Sequence, residues 1–165
     1  MRFKIFPTIL VLLCAMLLAP VAQRLADAGL QRVTISLDSL DPEVFRRMSG
    51  GRGDLATVMQ AIDAAAAAGL APIKINVVVE RAVNDHTVLD LLDHFRGTGH
   101  IVRLIEYMDV GNRNGWRMDQ VVPSRELFEQ VQARWPLTPV GRNYPGEVAR
   151  RYQYADGQGE IGFIE

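Results

Sequence analysis

Cysteine is nearly absent: Cys14 is the one thiol in 165 residues. That excludes an internal disulfide framework, a four-cysteine zinc site and any iron–sulfur cluster held by this chain's thiolates alone. An excess of one charge is also missing. Eighteen Lys and Arg stand against 19 Asp and Glu, a formal charge of −1, so no global field draws the chain to nucleic acid. Histidines number three. His86, His94 and His100 lie in or beside one helical stretch at spacings that do not converge on a metal, and they read as solvated. No Ser/His/Asp or Cys/His nucleophile arrangement is legible. Gly50-Gly51-Arg52-Gly53 matches no phosphate-loop pattern and reads as a turn. What is present is an ordinary globular composition, 48% apolar and 22% charged, at a length that suits one core.

The longest apolar run opens the chain. Arg2 and Lys4 precede Ile5 to Ala22, which Pro7, Thr8 and Pro20 interrupt. Two readings stay open. Charge, apolar stretch and small residues outline a secretory signal or short membrane anchor, with membrane contact through residues 5–22. Alternatively this is a buried strand followed by a helix in a cytoplasmic protein, because Leu18, Val21, Ala22 and Leu25 keep i, i+3, i+4, i+7 spacing into the following residues.

From Leu25 to about Met108 the pattern alternates. Strands are expected at Val33–Leu37, Ile73–Val79 and Ile101–Tyr107. Helices are expected after the caps Asp41 and Asp54, and near Asn84, where Val88, Leu91, Leu92 and Phe95 form an apolar face. Ala28-Gly29-Leu30 and Ala68-Gly69-Leu70 echo each other, each at a helix end before a strand. Short strands separated by amphipathic helices predict an α/β fold with parallel pairing, either doubly wound or part of a barrel. Beyond Met108 the texture changes: a Gly- and Asn-rich loop over Asp109–Met118, a helix capped by Ser124, then strands near Val148–Tyr154 and Glu160–Ile164 in an antiparallel hairpin around Asp156-Gly157. Arg142, Arg150 and Arg151 give that hairpin a basic face, which reads as solvated.

Ligands of parallel α/β folds meet the carboxyl ends of strands, and side-chain alternation assigns polar groups to faces. Thr34, Ser36 and Asp38 share one face, as do Lys74 and Asn76, and Glu106 and Met108. Lys74 within IKINVVV is the most telling, since an unpaired buried ammonium costs several kcal/mol. It must either snorkel to an edge or meet an anion, in a salt bridge, for which Glu106 is the candidate, or in a ligand.

The segments VTISLDSLDPEVFRRMSG, AGLAPIKINVVVERAVND, VRLIEYMDVGNRNGW and GEIGFIE together resemble the GTP 3′,8-cyclases of molybdenum cofactor biosynthesis, a radical S-adenosylmethionine family. The likeness is ordered from about Leu17 to Glu165. It implies half of a radical SAM partial (β/α) TIM-type barrel with a C-terminal antiparallel extension: a non-family apolar segment over 1–16, partial barrel over 17–110, and the start of the molybdenum cofactor synthesis C-terminal domain over 111–165. It implies a lyase that converts GTP to (8S)-3′,8-cyclo-7,8-dihydroguanosine 5′-triphosphate, using S-adenosylmethionine and 4Fe-4S clusters. Carried over residue by residue, Ser36 and Met108 bind S-adenosylmethionine and Lys74 binds GTP. No residue carries over as catalytic or as a metal ligand. The family's C-x3-C-x2-C motif and its second cysteine set are not in this sequence, and the slots of its Thr-Thr-Asn-Gly segment hold Leu12, Leu13, Cys14 and Ala15. The expectation is therefore an inactive, truncated fragment, or a nucleotide-binding module without redox chemistry. Its exposed sheet edges favour self-association.

Overall fold

The computed structural model describes residues 15–108, 116–142 and 145–165. Cys14, the whole of the apolar run before it and residues 109–115 of the Asp109–Met118 loop lie outside the described residues. A helix α1 (Ala15–Leu18), a 3-10 turn (Ala19–Val21) and α2 (Ala22–Asp27) open the described chain. Leu18 and Ala22 are each 1% exposed, packed with the long helix α4 (Leu55–Ala67). For residues 15–27 the helix reading of the apolar run therefore holds. Among the described residues no helix is long and apolar enough to cross a membrane.

Three strands follow the alternation predicted: β1 (Thr34–Ser36), β2 (Lys74–Val79) and β3 (Ile101–Glu106), all parallel. Between β1 and β2 run α3 (Pro42–Met48) and α4. Asp41 caps α3 by accepting from Glu43 N and Val44 N at 2.8 and 2.9 Å, and Asp54 caps α4 by accepting from Thr57 N at 2.8 Å, satisfying amides that a helix start leaves unpaired. α5 (Val88–Phe95) links β2 to β3 and buries the four apolar residues expected. Asn84 is not its cap. The Asn84 side chain is fully buried; its amide nitrogen donates to the carbonyls of Asp38 and Val78, each at 2.8 Å, and its oxygen accepts from Glu80 N. It ties the chain leaving β1 to the chain leaving β2.

The second half joins the same sheet. α6 (Ser124–Arg134) leads into β4 (Leu137–Val140), β5 (Arg150–Tyr154) and β6 (Glu160–Ile164), in the order β1-β2-β3-β6-β5-β4. The β5–β6 hairpin is antiparallel as expected, but β6 lies parallel to β3, so the extension continues the sheet. The fold is mixed α/β, and among the described residues the sheet is open with β1 and β4 as its edge strands. Sequence reading missed β4, four residues containing Pro139, because proline has no N–H and is tolerated only at an edge or bulge. Ser124 is not the cap of α6 either: its hydroxyl is buried without a hydrogen-bond partner, and the Glu106 carboxylate accepts from the Ser124 backbone N–H instead. Arg96, at the end of α5, secures the hairpin; its guanidinium stacks 5.4 and 5.5 Å from the Trp135 and Tyr154 ring centroids and pairs with Asp156.

Candidate functional site

Strand burial alternates strictly along β2. Ile75, Val77 and Val79 are fully buried with the helices, while Lys74, Asn76 and Val78 between them are half-buried. Register carries that division across the sheet. Thr34 and Ser36 of β1 stand opposite Lys74 and Asn76, and Asn76 stands opposite Arg103 of β3. Arg103 in turn faces Gly162 of β6, which faces Arg151 of β5. The less buried face is therefore polar: Ser36, Lys74, Asn76, Arg103, Glu160 and Arg151 lie on it.

Lys74 begins β2, at the amino end of the strand. Burial holds its pKa below the usual lysine value, and the nearby Arg103 and Arg32 cations push it down further against the pull of Glu147 and Glu160. Arg103 donates its Nε–H to Asn76 Oδ1 at 2.8 Å. Arg151 is held differently. Its Nε and Nη2 donate to the two oxygens of Glu160, each at 2.6 Å; Nη1 donates to the Gly141 carbonyl, and the buried Glu147 lies 4.0 Å away. Arg150 pairs with Glu165. Arg150 and Arg151 of the hairpin's basic face are thus paired with acids rather than merely solvated.

Ser36 and Asp38 lead out of β1 at the carboxyl end. Asp38 is half-buried and accepts from Val78 N at 2.9 Å; burial raises its pKa and that hydrogen bond only partly offsets the rise. A cleft of 370 Å³ opens there between Asp38, Arg47, Met48, Glu80 and Tyr107, beyond the carboxyl ends of β1, β2 and β3. Met108 lies two residues past β3 and is 48% exposed. The Trp116 indole donates to the Tyr107 carbonyl at 2.9 Å, which closes the base of the loop that follows.

The expected Lys74–Glu106 salt bridge is not formed. Lys74 stands opposite Ile101 and Glu106 opposite Val79, about 16 Å along the strand at 3.3 Å per residue. Glu106 also shares its phase with Val102 and Leu104, so it points with the helix-covered residues, where it holds α6. Arg103 was missed in its place. The signal was available: alternation within IVRLIEY puts Arg103 on the face opposite Val102, Leu104 and Glu106.

The cofactors of the radical SAM family are S-adenosylmethionine and 4Fe-4S clusters. The clusters do not fit this chain's described residues, among which no group of three or more His, Cys, Asp and Glu could hold a metal.

Comparison with known proteins shows the family. Residues 5–95 match the radical SAM superfamily, and residues 100–165 match Molybdenum Cofactor Synthesis C. The chain is 55% identical over 148 residues to a GTP 3',8-cyclase of Xanthomonas axonopodis pv. citri, covering 90% of this chain and 44% of that protein. It is 51% identical to one of Acidothermus cellulolyticus, covering 90% and 41%, and 39% identical to one of Staphylococcus saprophyticus, covering 90% and 44%. The chain spans less than half the length of these curated relatives. With the superfamily matching more than half of its residues, the chain belongs to the radical SAM superfamily, in the branch whose curated members carry the name GTP 3',8-cyclase.

Proposed function

We propose that this chain is the nucleotide-holding part of a GTP 3′,8-cyclase of molybdenum cofactor biosynthesis. Its three parallel strands with α4 and α5 make up part of a radical SAM barrel. The observation that carries the reading is the cation pair Lys74 and Arg103 on the polar face, half-buried and close enough for one to depress the pKa of the other. A half-buried ammonium whose charge burial penalises is accounted for by an anionic ligand, and the triphosphate of GTP is such a ligand. Family resemblance assigns Lys74 to GTP, and Ser36 and Met108 to S-adenosylmethionine. Ser36 lies on the same face as Lys74, one register step toward the carboxyl end. Met108 stands at the exit of β3, beside the cleft.

What this chain's residues supply is binding and charge. Three thiolates are needed for each family cluster, and the single cysteine cannot provide them. The chain is expected to bind GTP. Calorimetric titration of the full chain with GTP tests the reading: heat of binding that Lys74→Ala removes supports it. Absence of heat from the unmodified chain, or binding indifferent to Lys74, overturns it.

A further inference from the structure

We infer that the cavity between α6 and the β5–β6 hairpin is a binding site for a small, uncharged heteroaromatic ring of the nucleobase kind. It measures 330 Å³, and Ser124 and Phe128 of α6, Tyr152 of β5 and Phe163 of β6 are among the described residues that line it. Tyr152 stands opposite Ile161, and Phe163 opposite Leu104, so register puts the cavity on the helix-covered side of the sheet. Lys74 lies on the other side, and the inference is independent of the nucleotide reading above.

The buried polar side chain in the lining points to a ligand. Ser124 is 2% exposed, and its hydroxyl has no hydrogen-bond partner. A buried hydroxyl left unpaired costs stability, and here it secures nothing in the fold. It is not needed at the start of α6, because the Glu106 carboxylate already accepts from the Ser124 backbone N–H.

The walls decide the shape of the guest. The Phe128 and Tyr152 ring centroids lie 4.9 Å apart, and Phe163 stands 5.8 and 5.6 Å from them at steep angles. Phe128 and Tyr152 are only half-buried, so ring surface remains on which a planar guest can pack. The volume is at the small end for ligand pockets and suits a fused ring system rather than a whole nucleotide. Charge is settled at the rim. Arg125 donates its Nε–H to Glu129 at 2.9 Å, and Arg150 pairs with Glu165. Each charged residue of the lining thus has its counter-ion, which favours an uncharged guest. A hydroxyl both donates and accepts, and so matches a ring edge where an amino group adjoins a ring nitrogen.

The probe is 2-aminopurine, whose fluorescence is quenched by stacking, titrated with the full chain. Saturable quenching at one site is expected. Ser124→Ala should weaken binding about fivefold, the loss of one neutral hydrogen bond. It should leave the melting temperature of the ligand-free chain unchanged or slightly raised, because no hydrogen bond of the fold is lost. Phe128→Leu, which keeps an apolar side chain but removes the ring, should weaken binding about tenfold. Lys74→Ala and saturating tripolyphosphate should leave it unchanged. No quenching, quenching indifferent to both α6 variants, or quenching abolished by Lys74→Ala overturns the inference, and each leaves the GTP titration to be judged separately. A lowered melting temperature in Ser124→Ala would assign the hydroxyl to the fold and overturn it as well.

Discussion

On the helix-covered face of the sheet, Ile35, Ile75, Val77, Val79, Val102, Leu104, Ile161 and Phe163 are none of them more than 3% exposed. On the opposite face, the same strands carry Ser36, Lys74, Asn76 and Arg103 in adjacent register, with partial access to solvent. Side chains one position apart in sequence therefore answer to different requirements. The covered face is selected for volume and holds the fold. The polar face carries groups that weaken a strand, so substitutions on the two faces should separate stability from the binding proposed above.

The largest effect belongs to the covered face. Leu104→Ala should cost about 3 kcal/mol, the loss for a large aliphatic residue that leaves a cavity, read from denaturant unfolding. A loss below about 1 kcal/mol would show that the sheet is not packed as described. Asn84→Ala comes next, at about 2 kcal/mol, because the carbonyls of Asp38 and Val78 lose a buried donor; chemical denaturation measures it, and a neutral result would break the link between the exits of β1 and β2. On the polar face Lys74→Met should run the other way, with a small upward shift in melting temperature and loss of GTP binding. The sign follows from the lowered pKa: the folded state disfavours the ammonium, so an apolar residue of similar length relieves it. A destabilised Lys74→Met would place Lys74 among the structural residues.

The smallest effect is a displacement of a pH profile. Tripolyphosphate affinity contributed by Lys74 is present below its folded pKa and is lost as pH rises through that value, which lies under the usual 10.5. Arg103→Gln should move the decline to higher pH, since the cation that depresses Lys74 is gone. An unmoved midpoint, followed by titration across the alkaline range, would separate the two cations.

Sequence legibility followed the same division. β2 and β3 were readable because β-branched runs between glycine-ended helices leave few alternatives. The neighbour of β3 was not readable, because parallel pairing with β6 joins residues about 60 apart and leaves no local signal. Lys74 was found because a lysine among valines is conspicuous. Arg103 was passed over because Glu106, on the same strand, offered an obvious partner for Lys74; phase, not charge, was the deciding property. Asn84 and Ser124 were expected as caps on residue type alone, and in both places a group distant in sequence decided the outcome.

Pro139 has a consequence for how the sheet can be extended. It leaves β4 as a four-residue margin with an amide missing, whereas β1 presents Thr34–Ser36 with its backbone groups intact. Among the described residues, growth by strand addition is thereby made directional: a recruited strand is steered to the flank that carries Ser36.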